Sequence, residues 1–349
     1  MKKENAVFIC ELPPPYGGVT IKNNYIIQKI FDTYDIKIID LMKCKKKKFL
    51  IFKTIFEIIK AYVNKDIVIY GSGSYKRLEI LLNVQNLIGG RKSLQKTVNI
   101  VMGGMFYDAL LQNTRFTKTV SKLKINLVET RGMKKKLEEL NIKNVDVFPN
   151  AKSISNSLSA KHRTGNEEKI KCVFFSQISC EKGVDEIINM NTLFSHQDKK
   201  CIHIDFYGHI VDDFKEKFEK FIDENDNVTY QGVFDATKNN VYEKLHEYDI
   251  LLFPSRWKGE GVPGILIESK MAGIVPIVSD HLYNSEIVLN NIEGIVLEKK
   301  DIGLQMSKTI KKLLECEDIY NNLANGAFTS RMRYSLETYK ELFPKWLFE

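Results

Sequence analysis

Two successive doubly wound α/β domains are the fold this sequence predicts, on three observations. Short, continuously apolar runs rich in β-branched and aromatic residues recur with helical patterns between them, and strands of that kind are buried on both faces of a parallel sheet. The alternation breaks once, in a polar stretch near the middle of the chain, and then restarts. A length of 349 residues is about twice that of an ordinary domain.

The first six runs are AVFICEL (6–12), IKIIDL (36–41), DIVIYG (66–71), TVNIVMG (97–103), KINLVE (124–129) and VDVFPN (145–150). Together they predict one domain over 1–150. Residues 150–168, NAKSISNSLSAKHRTGNEE, hold no aromatic residue and are rich in Ser, Asn and charge, which marks a linker. The second set is IKCVFFS (170–176), CIHIDFYG (201–208), NVTYQG (227–232), DILLFPS (249–255), VPIVSD (275–280) and EGIVLE (293–298), predicting a second domain over 151–329. The closing stretch places Met332, Tyr334, Leu336, Tyr339, Leu342 and Phe343 at roughly helical spacing. Such a helix, within 330–349, must pack on its own domain or back on the first.

Composition narrows the class. Apolar residues make up 44% and charged residues 28%, as in a soluble globular protein. The six cysteines form no Cys-x2-Cys pair and several lie in apolar runs, so they read as reduced, buried thiols of a cytosolic protein. No histidine spacing suits zinc, the N-terminus lacks a signal-peptide pattern, and no window is long and apolar enough to span a bilayer. Lys and Arg outnumber Asp and Glu by 27 to 13 in residues 1–150, or +14, which leaves 8 − 14 = −6 for the remainder. A basic half suggests an anionic partner. Nucleic acid is disfavoured, because the aromatics among the lysines fall on an apolar helical face and no recognition motif is present.

Open α/β sheets bind ligands beyond the carboxyl ends of their strands, and the unusual loops lie there. PPPYGGVT (13–20) follows the first run, and its Gly17 and Gly18 offer positive φ and close approach of N–H groups to an anion. YGSGSYKR (70–77) lacks the third glycine of a dinucleotide fingerprint, having Lys76 at that position. In MGGMF (102–106), Gly103 and Gly104 end another strand. Lys182 opens the helix of SQISCEKGVDEII, an unusual place for a cation unless an anion binds beside it. GEGVPGILIESKMAGIVPIVSD (259–280) carries Glu260 and Glu268 on either side of a helix start, with Gly261, Pro263 and Gly264 between them. The N–H groups of Gly264, Ile265 and Leu266 suit a phosphate. Two carboxylates there would repel it unless they address hydroxyls of the same ligand, and a nucleotide sugar has sugars on both sides of its diphosphate.

The stretch PSRWKGEGVPGILIESKMAGIVPIVSD resembles the Glu-x7-Glu motif of the retaining glycosyltransferases of family 4. PPPYGGVT is similar to that family's glycine-rich loop, FPN (148–150) to its last strand before the linker, and EKGVDEII to its Lys-Gly helix. HLYNSEIV (281–288) resembles members that build bacterial surface polysaccharides. The resemblance implies the GT-B fold, two facing Rossmann-like domains with an interdomain cleft, an N-terminal acceptor domain and a C-terminal donor domain. It implies Glu260 on the transferred sugar, Glu268 on the ribose, Lys182 on the diphosphate, and Gly17 and Gly18 on the phosphate. It further implies transfer with retention, no cofactor or metal, a nucleotide-sugar donor, preferably a UDP-sugar, and a glycan or lipid-linked acceptor. Two positions depart from the family: Gln177 replaces an arginine and Met102 a histidine.

The alternatives are a nucleotide-sugar 2-epimerase of the same architecture, which needs acid–base groups in the cleft, and an inactive glycan-binding relative. Residues 41–65 join Lys45–Lys48 to an amphipathic pattern of Phe49, Phe52, Ile55, Phe56 and Ile59. That combination suggests a cytoplasmic enzyme held peripherally on an anionic inner membrane face.

Overall fold

The computed structural model describes residues 5–15, 17–43, 49–164, 169–236 and 239–349. Two compact units are present: Met1–Ala151 with Gly259–Val262 and Leu336–Glu349, and Lys152–Lys258 with Pro263–Ser335.

The first unit is built on a six-stranded sheet of β1 (Ala6–Cys10), β2 (Ile36–Asp40), β3 (Ile67–Gly71), β4 (Thr97–Ile100), β5 (Ile125–Val128) and β6 (Val145–Val147). The order is β2-β1-β3-β4-β5-β6 and every pairing is parallel. Each strand lies within a predicted apolar run. β1 and β3 are buried along their whole length, as strands covered on both faces must be. Alternation along β3 sends Ile67 and Ile69 to a core shared with Phe8, Ile26 and the helix Leu336–Phe348. Tyr70 points the other way, where its hydroxyl meets that of Tyr62 at 2.7 Å and donates to Gln85 at 3.0 Å.

The C-terminal helix thus packs within the first unit. Phe343 meets Phe148 edge-on at 5.0 Å, and Trp346 donates from Nε1 to Asp146 at 3.1 Å. Trp346 and Leu347 carry burial that the sequence pattern assigned partly to Met332 and Leu342, which are exposed.

The second unit repeats the plan with β7 (Ile170–Phe175), β8 (Ile202–Tyr207), β9 (Val228–Tyr230), β10 (Ile250–Phe253), β11 (Val275–Ser279) and β12 (Ile295–Leu297), ordered β12-β11-β10-β7-β8-β9 and again parallel. The helices Val184–Thr192 and Ile302–Glu315 place Ile187, Met190, Met306 and Ile310 in a core with Phe174, Phe206 and Ile277.

The segment expected to be a linker holds no helix or strand over its described residues 150–164 and is anchored by specific partners. Arg163 is 4% exposed and pairs with Asp249 at 3.1 Å, while the Lys161 N–H donates to the Gly273 carbonyl. A polar composition here reflects charges satisfied by specific partners rather than by water; residues 165–168 lie outside the described set. The cysteines also differ from expectation. Cys10 and Cys172 are buried free thiols, but Cys180 and Cys316 are exposed, and Cys44 lies outside the described residues. Among the described residues no helix is long and apolar enough to cross a membrane.

Candidate active site

Strand order reverses direction between β1 and β3 in the first unit and between β10 and β7 in the second. The carboxyl ends of strands flanking such a reversal are where open α/β sheets form a ligand crevice. Loops leaving β1, β7 and β10 carry most of the residues nominated from the sequence. The second unit holds Gln177, Lys182, Gly264, Ile265, Leu266 and Glu268, whereas Gly17, Gly18, Glu260 and Gly261 belong to the first.

In the second unit β7 and β10 are direct neighbours, pairing Ile250 with Cys172 and Leu251 with Val173. Gly183, the N-cap of the helix Val184–Thr192, has φ 80°. A Cβ there would overlap the Pro254 carbonyl, at the end of β10. Glycine is therefore required twice, for the left-handed backbone and for the contact. That contact presses the loop after β7 against the loop that runs on to Glu268. Lys182 is 9% exposed and its ammonium sits 4.3 Å from the centroid of the Trp257 ring, close enough for a cation–π interaction. Asp185 and Glu186, in the first turn of that helix, are both bound by Arg256, Asp185 at 2.7 Å. Gln177 is exposed.

The helix Gly264–Ala272 starts from Pro263 with no side-chain cap, so the N–H groups of its first turn have no acceptor within the helix itself. Leu266, nominated as one of these donors, reaches back to the Pro263 carbonyl at 3.2 Å; Gly264 and Ile265 precede it in the same turn. Glu268, half-buried, is paired with Lys152 at 2.8 Å, a partner that no local pattern around either residue suggests.

In the first unit Gly17 has φ −159° and ψ 167°, ordinary extended backbone, and Gly18 has no positive φ either. Neither glycine uses the freedom anticipated from sequence. Both are exposed, and a Cβ at either would meet nothing within 4 Å, so internal packing does not demand them. Gly71 and Gly73 have a packing reason instead: a Cβ at Gly71 would collide with Asn23, and one at Gly73 would lie 2.6 Å from Val19. Met102 is a core residue, 2% exposed.

Sequence reasoning missed Glu129. Its carboxylate, just past β5, is 2.6 Å from the Lys22 ammonium, and the side chains of the pair are 5% and 6% exposed. It also accepts from the backbone N–H of Val262 at 3.2 Å and of Gly103 at 3.4 Å. A Cβ on Gly261 would lie 2.5 Å from Glu129 Oε2 and 2.8 Å from Gly103 Cα. One buried carboxylate thus ties together the helix after β1, the glycine pair after β4 and the loop bearing Glu260, itself 8% exposed. Its only sequence signal was an acidic residue closing an apolar run.

Residues 157–329 match the family described as glycosyl transferases group 1. A curated relative, an uncharacterized 41.2 kDa protein in the cps region of Klebsiella pneumoniae, is 26% identical over 167 residues. That match spans 46% of this chain and 43% of the relative, less than half of either. Among solved structures, Anabaena Alr3699/HepE in complex with UDP-glucose is similar with a TM-score of 0.72 at 10% identity, over 97% of this chain and 98% of that one. The lipopolysaccharide outer core galactosyltransferase WaaB, in its apo form, gives 0.70 at 15% identity over 99% of both chains. These likenesses establish the GT-B fold. Residues 157–329 are therefore similar to the glycosyl transferases of group 1, within a chain of GT-B fold.

Proposed function

We propose that this protein transfers a sugar from a nucleotide sugar, preferably a UDP-sugar, to a glycan or lipid-linked acceptor in the assembly of a bacterial polysaccharide, with retention of anomeric configuration and without a metal ion. The observation that carries the reading is the contact of Gly183 with the Pro254 carbonyl. It sets Lys182 and the helix start at Val184 beside the loop leading to the helix Gly264–Ala272. A diphosphate there meets a lysine and backbone donors oriented in advance, which stabilises the charge that develops as the nucleoside diphosphate departs. In this reading Glu268, in the same unit, accepts from the ribose hydroxyls. UDP-glucose in the HepE complex and the galactosyltransferase name of WaaB support this donor class. The family match favours transfer over epimerisation.

The test is thermal unfolding of wild type and Glu268→Ala against UDP-, GDP- and ADP-sugars in the presence of a chelator, with Trp257 fluorescence as a local reporter for Lys182. Saturating UDP-sugar at about 100 times its dissociation constant adds about 2.7 kcal/mol. The shift should be largest for UDP-sugars and should collapse in the variant. Absence of any shift or fluorescence change with every nucleotide would remove the donor assignment. The configuration of the product's anomeric carbon, read by NMR, decides retention.

A further inference from the structure

The first unit carries an exposed apolar surface on two of its helices. On the helix Phe49–Asn64, Ile58, Ala61 and Tyr62 face inward and are buried, while Phe52 is 77% exposed and Phe56 66%. These two residues and Val63, 59% exposed, run along one side of the helix at i, i+4 and i+11. The neighbouring helix Tyr75–Leu94 shows the same division: Leu78 and Leu82 are buried, whereas Ile80 is 61% and Leu87 85% exposed. The two helices touch at Gly89, where a Cβ would lie 2.6 Å from the Tyr62 carbonyl. Val63 and Ile88, the chain neighbours of these contact residues, are both exposed. Large exposed apolar residues on two helices packed side by side mark an interaction site.

Its surroundings are basic. Lys53, Lys60, Arg91 and Lys92 are exposed on the same two helices. The acids there are engaged: Glu57 pairs with Lys37 at 3.1 Å, and Glu79 accepts from Asn113 at 2.7 Å. Lys45–Lys48 immediately precede the first helix in sequence and lie outside the described residues. With +14 over residues 1–150, a symmetric contact between two copies of this face would set like charges against each other. An anionic lipid surface satisfies both features, taking aromatic and aliphatic side chains at the level of the headgroups and lysines at the phosphates.

We propose that the exposed faces of these two helices form an interfacial docking surface for anionic phospholipid. The test is cosedimentation of the full chain with vesicles of neutral phosphatidylcholine, or with roughly 30% phosphatidylglycerol added, at low salt. Partitioning should rise about tenfold or more with the anionic lipid and fall with added salt. Phe52→Ser/Phe56→Ser/Leu87→Ser should abolish it, and Lys53→Glu/Lys60→Glu should weaken it about tenfold. These side chains are exposed, so the thermal unfolding of either variant should match wild type. Failure to sediment with anionic vesicles, or undiminished binding of the triple serine variant, would overturn the proposal. So would a wild-type dimer in solution that the triple variant abolishes, because that would make a second copy the occupant.

Discussion

Glu129 offers the sharpest test of the physical account. It shares a buried ion pair with Lys22, both side chains nearly inaccessible. Removing one partner of such a pair leaves an uncompensated charge, at a cost of about 3–5 kcal/mol, whereas removing both is often close to neutral. Glu129→Gln keeps the shape and one acceptor oxygen but strands the Lys22 ammonium. It also weakens two backbone acceptor contacts, to Gly103 and Val262. A loss of about 3 kcal/mol is expected, which lowers the midpoint of a unit of this size by roughly 6–12 °C.

The chain supplies its own reporter. Of its two tryptophans, Trp346 is 3% exposed in the first unit and Trp257 is 46% exposed in the second. In a Trp257→Phe background, urea titration followed by Trp346 fluorescence reads the first unit alone. Lys22→Met/Glu129→Gln should recover at least about 2 kcal/mol relative to Glu129→Gln, because no buried charge remains. A Glu129→Gln stability within about 1 kcal/mol of wild type, or a double variant less stable than the single, would refute a buried charge pair at this position.

Two further predictions concern the second unit. Gly183→Ala combines a left-handed backbone with overlap of the Pro254 carbonyl and should cost roughly 3 kcal/mol or more, read as a lower urea midpoint by Trp257 fluorescence in a Trp346→Phe background; wild-type stability would show that the close approach is not maintained. Lys270 has no exposed side-chain surface, and burial pushes its ammonium down to about 8, against the opposing attraction of Glu293 at 2.8 Å. The unfolded chain, with lysine near 10.4, then holds more protons than the folded one between about pH 8 and 10.4. Wild-type stability should therefore rise with pH in that window relative to Lys270→Met, by about 3 kcal/mol in total, measured by urea titration at each pH. A flat difference would place the ammonium at its ordinary value.

The sheets were readable from sequence because parallel strands buried on both faces leave continuous apolar runs; AVFICEL and DIVIYG contain β1 and β3. Loop positions followed from the same runs, and Lys182, Gly183 and Glu268 lie in or just after those loops. Their partners were not readable. Lys152 is 116 positions from Glu268, Lys22 is 107 from Glu129 and Arg256 is 71 from Asp185, and no local pattern encodes contacts over such separations. The glycines show the same divide. A paired glycine after a strand reads as permission for unusual φ, yet Gly17 is extended and Gly261 is constrained by the distant Glu129 carboxylate.

Those distant partners also resolve a difficulty in the proposed chemistry. Residues 151–349 carry a net charge of −6, a poor setting for a diphosphate if the acids near the strand ends acted as bare charges. They do not. Asp185 and Glu186, beside the helix start that follows Lys182, are held by one guanidinium, and Glu268 is held by Lys152. Arg is well suited to the first task, since its planar fork can engage two carboxylates at once. Arg256 offsets one of the two charges of Asp185 and Glu186 and Lys152 offsets that of Glu268, so Lys182 and the helix N-terminus, both favourable to an anion, oppose a much reduced negative charge at the loop after β7. The Lys152 pair also defines what donor binding must do. A ribose hydroxyl can share the Glu268 carboxylate with Lys152, because an ionised carboxylate has about four acceptor positions. Lys152→Ala should therefore leave Glu268 facing the donor diphosphate without its counter-charge and weaken binding of the whole nucleotide sugar more than that of the nucleoside alone. Isothermal titration with uridine, UDP and a UDP-sugar separates the two: equal losses for all three ligands would mean that Lys152 only shapes the Glu268 side chain and contributes no charge compensation.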